Sequence, residues 1–467
     1  MADPKPKNIL RRQLSLFDSM MIMMGIVLGA GIFITTGIMA KTIPSASLIL
    51  IAWLVGGLFT LSGALTYAEL GASMPEAGGQ YVYLRKAFGP LPGFLCGWIL
   101  FLVYFSGGIA GLSVAFAEYF GYFFPNLSLE NILFKSQFGI LGLPINITLS
   151  AGKLVGAAVI ILLTAVIYLG TGPGKIIQNI LSIIKIGVII AIIILGFTIG
   201  QGTAIDFSIN PTSLSFGKII SGFGIALMAV FWTFDGWNNI SFVAGEIKNP
   251  QKNIPRALIF GTLLITVLYL LINYIYLYAL PVTEMSGVIR VAEEATTILF
   301  GGATAAIIST AVLVSTFGSI NGSILVGPRI IYAMAKDGLF FKSVSKIHPK
   351  FGTPSKAILI QGLLAVILTF SGTFEQLFTY IMFVSVMFWI LAAASVFKLR
   401  KKFPSMPRPY KTWGYPYVPI IFIIASCLVL VNTLIEKPLE SFAGIGITLL
   451  GIPVYYYWKK KQLKIDN

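Results

Sequence analysis

Gly25-Ile-Val-Leu-Gly29-Ala-Gly31-Ile-Phe33 interrupts an apolar stretch that runs from residue 17 to residue 40. Phe231-Trp-Thr-Phe-Asp235-Gly236-Trp237-Asn238-Asn239 interrupts a second, from residue 217 to residue 244. Each stretch can cross a hydrocarbon core of about 30 Å at about 1.5 Å per residue, and each interruption falls near its middle. Unwound backbone at that depth is tolerated only where it lines a cavity or is buried in protein. Glycines in membrane helices also mark close helix packing. Two breaks at corresponding places favour a cavity instead.

Working outward, the rest of the chain reads as membrane. Of 467 residues, 57% are hydrophobic and 11% charged, against about a quarter charged in soluble proteins. Mean hydropathy is +0.88. The fold class is an all-α membrane protein of twelve transmembrane helices. Its spans lie at 17–40, 45–70, 90–124, 151–170, 175–200, 217–244, 255–280, 297–335, 356–371, 375–397, 417–435 and 439–458. No small-residue cleavage site follows the first stretch, which is read as a mature helix. The broken spans, 1 and 6, are five helices apart. A five-helix unit crosses an odd number of times, so its second copy enters from the opposite side. That predicts a 5+5 inverted repeat, residues 17–200 against 217–397. Helices 11 and 12 follow at 417–458, with tails at 1–16 and 459–467.

The net charge of +16 is a topology signal rather than a nucleic-acid footprint. Alternate loops divide the 33 Lys and Arg residues very unequally: 26 lie on one side, six (Lys41, Lys135, Lys153, Lys218, Arg290, Lys437) on the other, and Lys185 lies inside span 5. The positive-inside rule puts the basic loops and both termini in the cytoplasm of a cell whose cytoplasmic membrane holds the protein. The two cysteines, Cys96 and Cys427, sit in apolar runs, and the single histidine, His348, lies in a basic loop. No metal site, cofactor or disulfide is expected from them.

The breaks specify a ligand chemistry. Each one frees amide hydrogens at the start of one half-helix and carbonyls at the end of the other. The second half of helix 1, starting near Gly31, turns its positive dipole end inward, where a carboxylate can dock. Gly29, Ala30 and Gly31 offer little side chain to block it. Carbonyls near Trp232 and Asp235 can accept from an ammonium. Together these ends suit a zwitterionic α-amino acid.

At these residues the chain resembles the amino acid–polyamine–organocation transporter superfamily, most closely its L-type amino acid transporter branch. The glycine-rich segment of helix 1 is similar to the family's substrate motif. Tyr67-Ala-Glu69-Leu with Pro75-Glu-Ala-Gly78-Gly79-Gln-Tyr81-Val-Tyr83-Leu resembles its helix 2–3 connection. Asp235-Gly236-Trp237-Asn238, Glu246-Ile-Lys248-Asn249-Pro250 and Ile254-Pro255-Arg256 resemble its helix 6–7 segment. Phe317-Gly-Ser319-Ile-Asn321-Gly322-Ser323, Arg329 and Ala335-Lys-Asp337-Gly338 resemble helix 8 and its exit. The resemblance spans about residues 15 to 410. It implies a LeuT-like fold in which the substrate carboxylate meets backbone at Gly29, Ala30 and Gly31. It further implies that the amine meets the carbonyls of Val27, Trp232 and Asp235. Animal members join a heavy-chain glycoprotein through a cysteine before helix 4. The segment from Pro125 to Ser150 has none, so a prokaryotic member without a disulfide-linked heavy chain is expected. The family includes exchangers and proton-coupled symporters, and the sequence does not choose the amino acid or the oligomeric state.

Lys185 carries the sharpest expectation. A lysine near the bilayer centre costs about 2.5–3.5 kcal/mol to insert, so it needs a partner. Candidates are the Gly25 carbonyl and the hydroxyls of Ser315 and Ser319, four residues apart on one face of helix 8. The family resemblance puts a helix 5 lysine there, at the position of a sodium site, which implies sodium-independent transport. A lysine merely tying helices together is the other reading. Asp235 departs from the small or neutral residue usual in the family. It can cap the second half of helix 6, hold the substrate amine or a cationic side chain, or take up a proton. Trp232, Phe234, Trp237 and Asn238 are candidates for a gate, with core packing as the alternative. Glu69, Glu246 and Arg329 lie at cytoplasmic span ends and suit either a cytoplasmic lock or static ion pairs.

Other classes are disfavoured. Gly170-Thr-Gly172-Pro-Gly174-Lys175-Ile176 lacks the spacing and hydroxyl of a phosphate loop. There is no zinc-protease or nucleophile-elbow motif, so no enzyme is expected. The spans hold too few ionisable residues to line a channel.

Overall fold

The computed structural model describes residues 10–140, 143–208, 216–370 and 374–466. It is mostly helical. Among the described residues nine helices are long and apolar enough to cross a membrane, and three shorter apolar ones are Leu16–Val27, Gly217–Thr233 and Ser355–Thr369. Span numbers below follow the sequence assignment. Lipid-facing side chains such as Ile161, Ile194 and Leu363 are exposed, as a protein solvated by acyl chains requires.

The helical ends differ from the expected ones for local reasons. Span 1 starts at Leu16 with a capping box: Ser15 accepts from the Asp18 amide while Asp18 accepts from the Ser15 amide. Span 5 begins at Thr171, just after Gly170 at φ 149°. Residues 297–303 do not belong to span 8. They end a separate helix, Val291–Phe300, which stops at Gly301 with φ 94° before span 8 resumes at Thr304. The last helix runs from Pro438 to Asp466, so residues 459–466 continue it.

The all-α expectation needs one correction. Ile132–Ile140 and Leu143–Ser150 pair as an antiparallel hairpin between spans 3 and 4. Alternating β-branched residues such as Ile145, Ile147 and Thr148 favour strand over loop.

Both broken spans are interrupted as expected. Span 1 is Leu16–Val27, a 3₁₀ turn Gly31–Phe33, then Thr35–Thr42. Span 6 is Phe216–Thr233, then turns, then a 3₁₀ stretch Asn239–Glu246. Span 3, Pro90–Phe123, is continuous, but Leu100–Phe105 is π-helical. The segment before span 1 is strapped to the end of span 6. The Gln13 and Leu14 amides donate to the Glu246 carbonyl, and the Lys248 amide donates to that of Leu14.

Candidate functional site

Span 1 opens at Leu28. Its φ of −72° and ψ of 66° make an inverse γ-turn, closed by the Gly29 amide donating to the Val27 carbonyl at 2.7 Å. The 3₁₀ turn that follows is closed by Phe33 N–H to the Ala30 carbonyl and Ile34 N–H to that of Gly31. The amides of Ala30 and Gly31 lead that turn and take no part in closing it. The inward-facing amides therefore head a 3₁₀ turn, and the second α-helical half starts only at Thr35.

The freed carbonyls of the first half all find donors, as buried backbone must. Gly25 accepts from Lys185 Nζ at 2.6 Å and from Ser319 Oγ at 3.1 Å. Ile26 accepts from Ser319 Oγ at 3.3 Å. Val27 accepts from Tyr269 Oη at 3.0 Å as well as from Gly29. Leu28 accepts from Ser315 Oγ at 2.6 Å. Lys185 is buried, and its ammonium also donates to Ser319 Oγ at 3.1 Å. Lys185, Gly25 and Ser319 thus meet at one point. Ser315 sits one turn along and serves the Leu28 and Gly29 carbonyls instead. Gly25 has no room for a side chain, because a Cβ would lie 2.1 Å from Ser182 Oγ.

Span 6 opens beside it, with Gly236 packed against Ile26. The Asp235 amide donates to the Trp232 carbonyl at 2.9 Å, and the Asn239 amide donates to that of Gly236. Gly236 has φ 97°, and a Cβ there would lie 2.7 Å from Ile26 Cγ2. Only glycine meets both demands.

Between the two breaks lies one cavity. Val27, Gly29, Ala30 and Gly31 line it from span 1, and Trp232, Thr233, Asp235 and Asn239 from span 6. Tyr104, Gly107, Gly108 and Gly111 of span 3 form the opposite wall, with Ser323 of span 8. Tyr104 Oη lies 3.1 Å from Asp235 Oδ1 and 3.2 Å from Asn239 Oδ1. The cavity therefore joins leading amides on one side, a carboxylate and its phenol partner on another, and a glycine-rich stretch of span 3 on the third.

Four gate candidates divide. Trp232 lines the cavity. Phe234, Trp237 and Asn238 do not, and all three are buried in packing. Phe234 meets Trp53 and Tyr269, and Trp237 meets Tyr67, Trp389 and Phe422. The three charged candidates divide too. Arg329 Nε donates to Glu246 Oε1 at 2.7 Å and Nη2 to Oε2 at 3.2 Å, with both side chains fully buried. Thr171 Oγ1 donates to Glu246 Oε2 at 2.8 Å. Glu69 stands apart, held by Arg400 at 2.7 and 2.9 Å and by the Thr412 amide and hydroxyl.

Sequence reading misses Tyr104, Tyr269 and Thr171 as members of these sites. Tyr104 reaches Asp235 from a π-helical turn, whose extra residue changes the facing side chain without a mark in apolar periodicity. A signal was available for the opposite wall, in the run Ser106-Gly-Gly-Ile-Ala-Gly111.

An amino acid permease model matches residues 14–455. The chain belongs to the amino acid permease family. The resemblance to the amino acid–polyamine–organocation superfamily and its L-type branch is thereby met, and the permease is a transporter, not an enzyme. It is 33% identical to the serine/threonine exchanger SteT of Bacillus subtilis, over 97% of this chain and 98% of that protein. It is 30% identical to the large neutral amino acids transporter small subunit 2 of Homo sapiens, over 97% of this chain and 82% of that protein. It is 28% identical to the b(0,+)-type amino acid transporter 1 of Mus musculus, over 96% and 88%.

Proposed function

We propose that the permease is a sodium-independent exchanger of L-amino acids in the cytoplasmic membrane, working by alternating access. The observation that carries this reading is the shared cavity at two unwound segments, with the Lys185 ammonium fixed between the Gly25 carbonyl and Ser319 beside it. Backbone amides at Ala30 and Gly31 receive the α-carboxylate. The ammonium approaches carbonyls at span 6 and the Asp235 carboxylate. The Val27 carbonyl already accepts from Gly29 and Tyr269, so an ammonium bound there displaces the tyrosine hydroxyl. The fixed positive charge of Lys185 stands where the resemblance puts a sodium site in relatives of this fold.

The reading includes twelve spans, with residues 17–200 and 217–397 as inverted repeats and 417–458 outside them. Both termini face the cytoplasm, and the chain acts without a disulfide-linked heavy chain. Exchange is supported by the likeness to a serine/threonine exchanger over nearly the whole of both chains. A proton-coupled symporter is the second reading, favoured by the Asp235 carboxylate on the cavity wall beside Tyr104. Uptake into proteoliposomes, with each of the twenty amino acids and with the vesicles empty or preloaded, separates them. An exchanger is accelerated by preloading and indifferent to a pH gradient. A symporter fills empty vesicles when the outside is acidic, and that result would replace exchange by symport.

A further inference from the structure

Away from the cavity, an apolar groove runs between span 4, Ala151–Tyr168, and span 9, Ser355–Thr369. Leu359, Leu363 and Val366 form one wall. Ile161, Ala165 and Tyr168 form the other. The protein leaves the groove unfilled. Ile161, Leu359 and Leu363 are 59%, 49% and 65% exposed. On its floor, buried Thr164 faces Gly362, and among the described residues its hydroxyl has no hydrogen-bond partner.

One end of the groove is basic. Lys356 precedes Leu359 by three residues and Leu363 by seven, so helical periodicity puts it on the stripe that forms the wall. It is exposed, and among the described residues its ammonium has no partner. The neighbouring loop, with Lys346, His348 and Lys350, is pinned at the same end. Thr353 Oγ1 donates to the Tyr168 carbonyl at 3.0 Å, and the His348 and Tyr168 rings lie 5.7 Å apart. An apolar channel about 10 Å long from Leu359 to Val366, with the unpaired Lys356 ammonium at one end, matches one ligand in a bilayer: a lipid with an acyl chain and an anionic head.

We propose that this groove is a binding site for one anionic phospholipid of the leaflet that the basic loops face, its acyl chain between Ile161 and Leu363 and its phosphate on Lys356. Attraction of an anionic head to each lysine near the surface corresponds to about fivefold in affinity.

Native mass spectrometry of the full chain, after equilibration with equal amounts of phosphatidylglycerol and phosphatidylcholine, tests it. The wild type should retain one phosphatidylglycerol in at least about fivefold preference. Lys356→Gln should retain one lipid with the preference lost. Ala165→Phe, which fills the groove from an exposed position, should lose retention of both lipids. Equal retention of the two lipids by the wild type would overturn the proposal. So would a preference that survives Lys356→Gln, retention unaffected by Ala165→Phe, or a co-purifying membrane polypeptide cross-linked to residue 165.

Discussion

Two residues in the cavity can be tested singly. Gly31 leads the 3₁₀ turn, and a Cβ there would lie 3.1 Å from the Thr233 side chain. A β-branched residue crowds Thr233 and screens the neighbouring amides. Gly31→Val should therefore abolish uptake while leaving membrane insertion intact, since valine is favourable in hydrocarbon. Near-normal apparent affinity for the amino acid in this variant would remove the backbone amides from the site. Asp235 keeps three roles in play: cap, cation partner or proton carrier. Asp235→Asn keeps a cap and an acceptor for Tyr104 but no charge. A proton carrier at this position predicts a flattened pH dependence, and a cation partner predicts selectivity that shifts away from cationic substrates. Unchanged selectivity and pH profile would leave capping alone. At this scale the sequence was legible where chemistry showed as a broken pattern, at Gly29, Gly31 and Asp235. It was opaque at Tyr269, an aromatic residue in an apolar helix that looks like packing until its hydroxyl is found on the Val27 carbonyl.

Elements meet at a buried polar tie. The Glu246–Arg329 pair joins the end of span 6 to span 8 and, through Thr171, to the start of span 5. Removing one partner of a buried pair leaves an uncompensated charge and costs about 3–5 kcal/mol, whereas replacing both by apolar residues is often neutral. Glu246→Gln should lower the thermal midpoint of the purified protein, and Glu246→Leu combined with Arg329→Met should restore most of it. A lock and a static pair then part company in transport. The restored double variant should show altered exchange kinetics if the pair locks one face of the cycle, and wild-type kinetics if it only holds helices together. Hydropathy located the long apolar helices, and glycine spacing located the two breaks. They did not find the hairpin at 132–150 or the separate helix Val291–Phe300. Both lie outside the bilayer pattern, where strand and helix are decided by local turn chemistry and by docking rather than by hydrophobic length.

For the whole molecule, we propose that one protein cation replaces a transported one. Lys185 is the fifteenth residue of a 28-residue helix, so it lies about 21 Å along a helix about 42 Å long. At that depth it binds span 1 through Gly25 and span 8 through Ser319. The lysine was conspicuous in the sequence because charge at mid-membrane is expensive. Its choice of Ser319 over Ser315 depends on helix rotation, which spacing alone does not fix. The decisive measurement is exchange of labelled amino acid in preloaded proteoliposomes, wild type against Lys185→Ala, in sodium and in choline. Wild-type exchange should be equal in both salts, and a folded Lys185→Ala protein should exchange at a severely reduced rate in both. Wild-type exchange that collapses in choline, or full activity in folded Lys185→Ala, would contradict it.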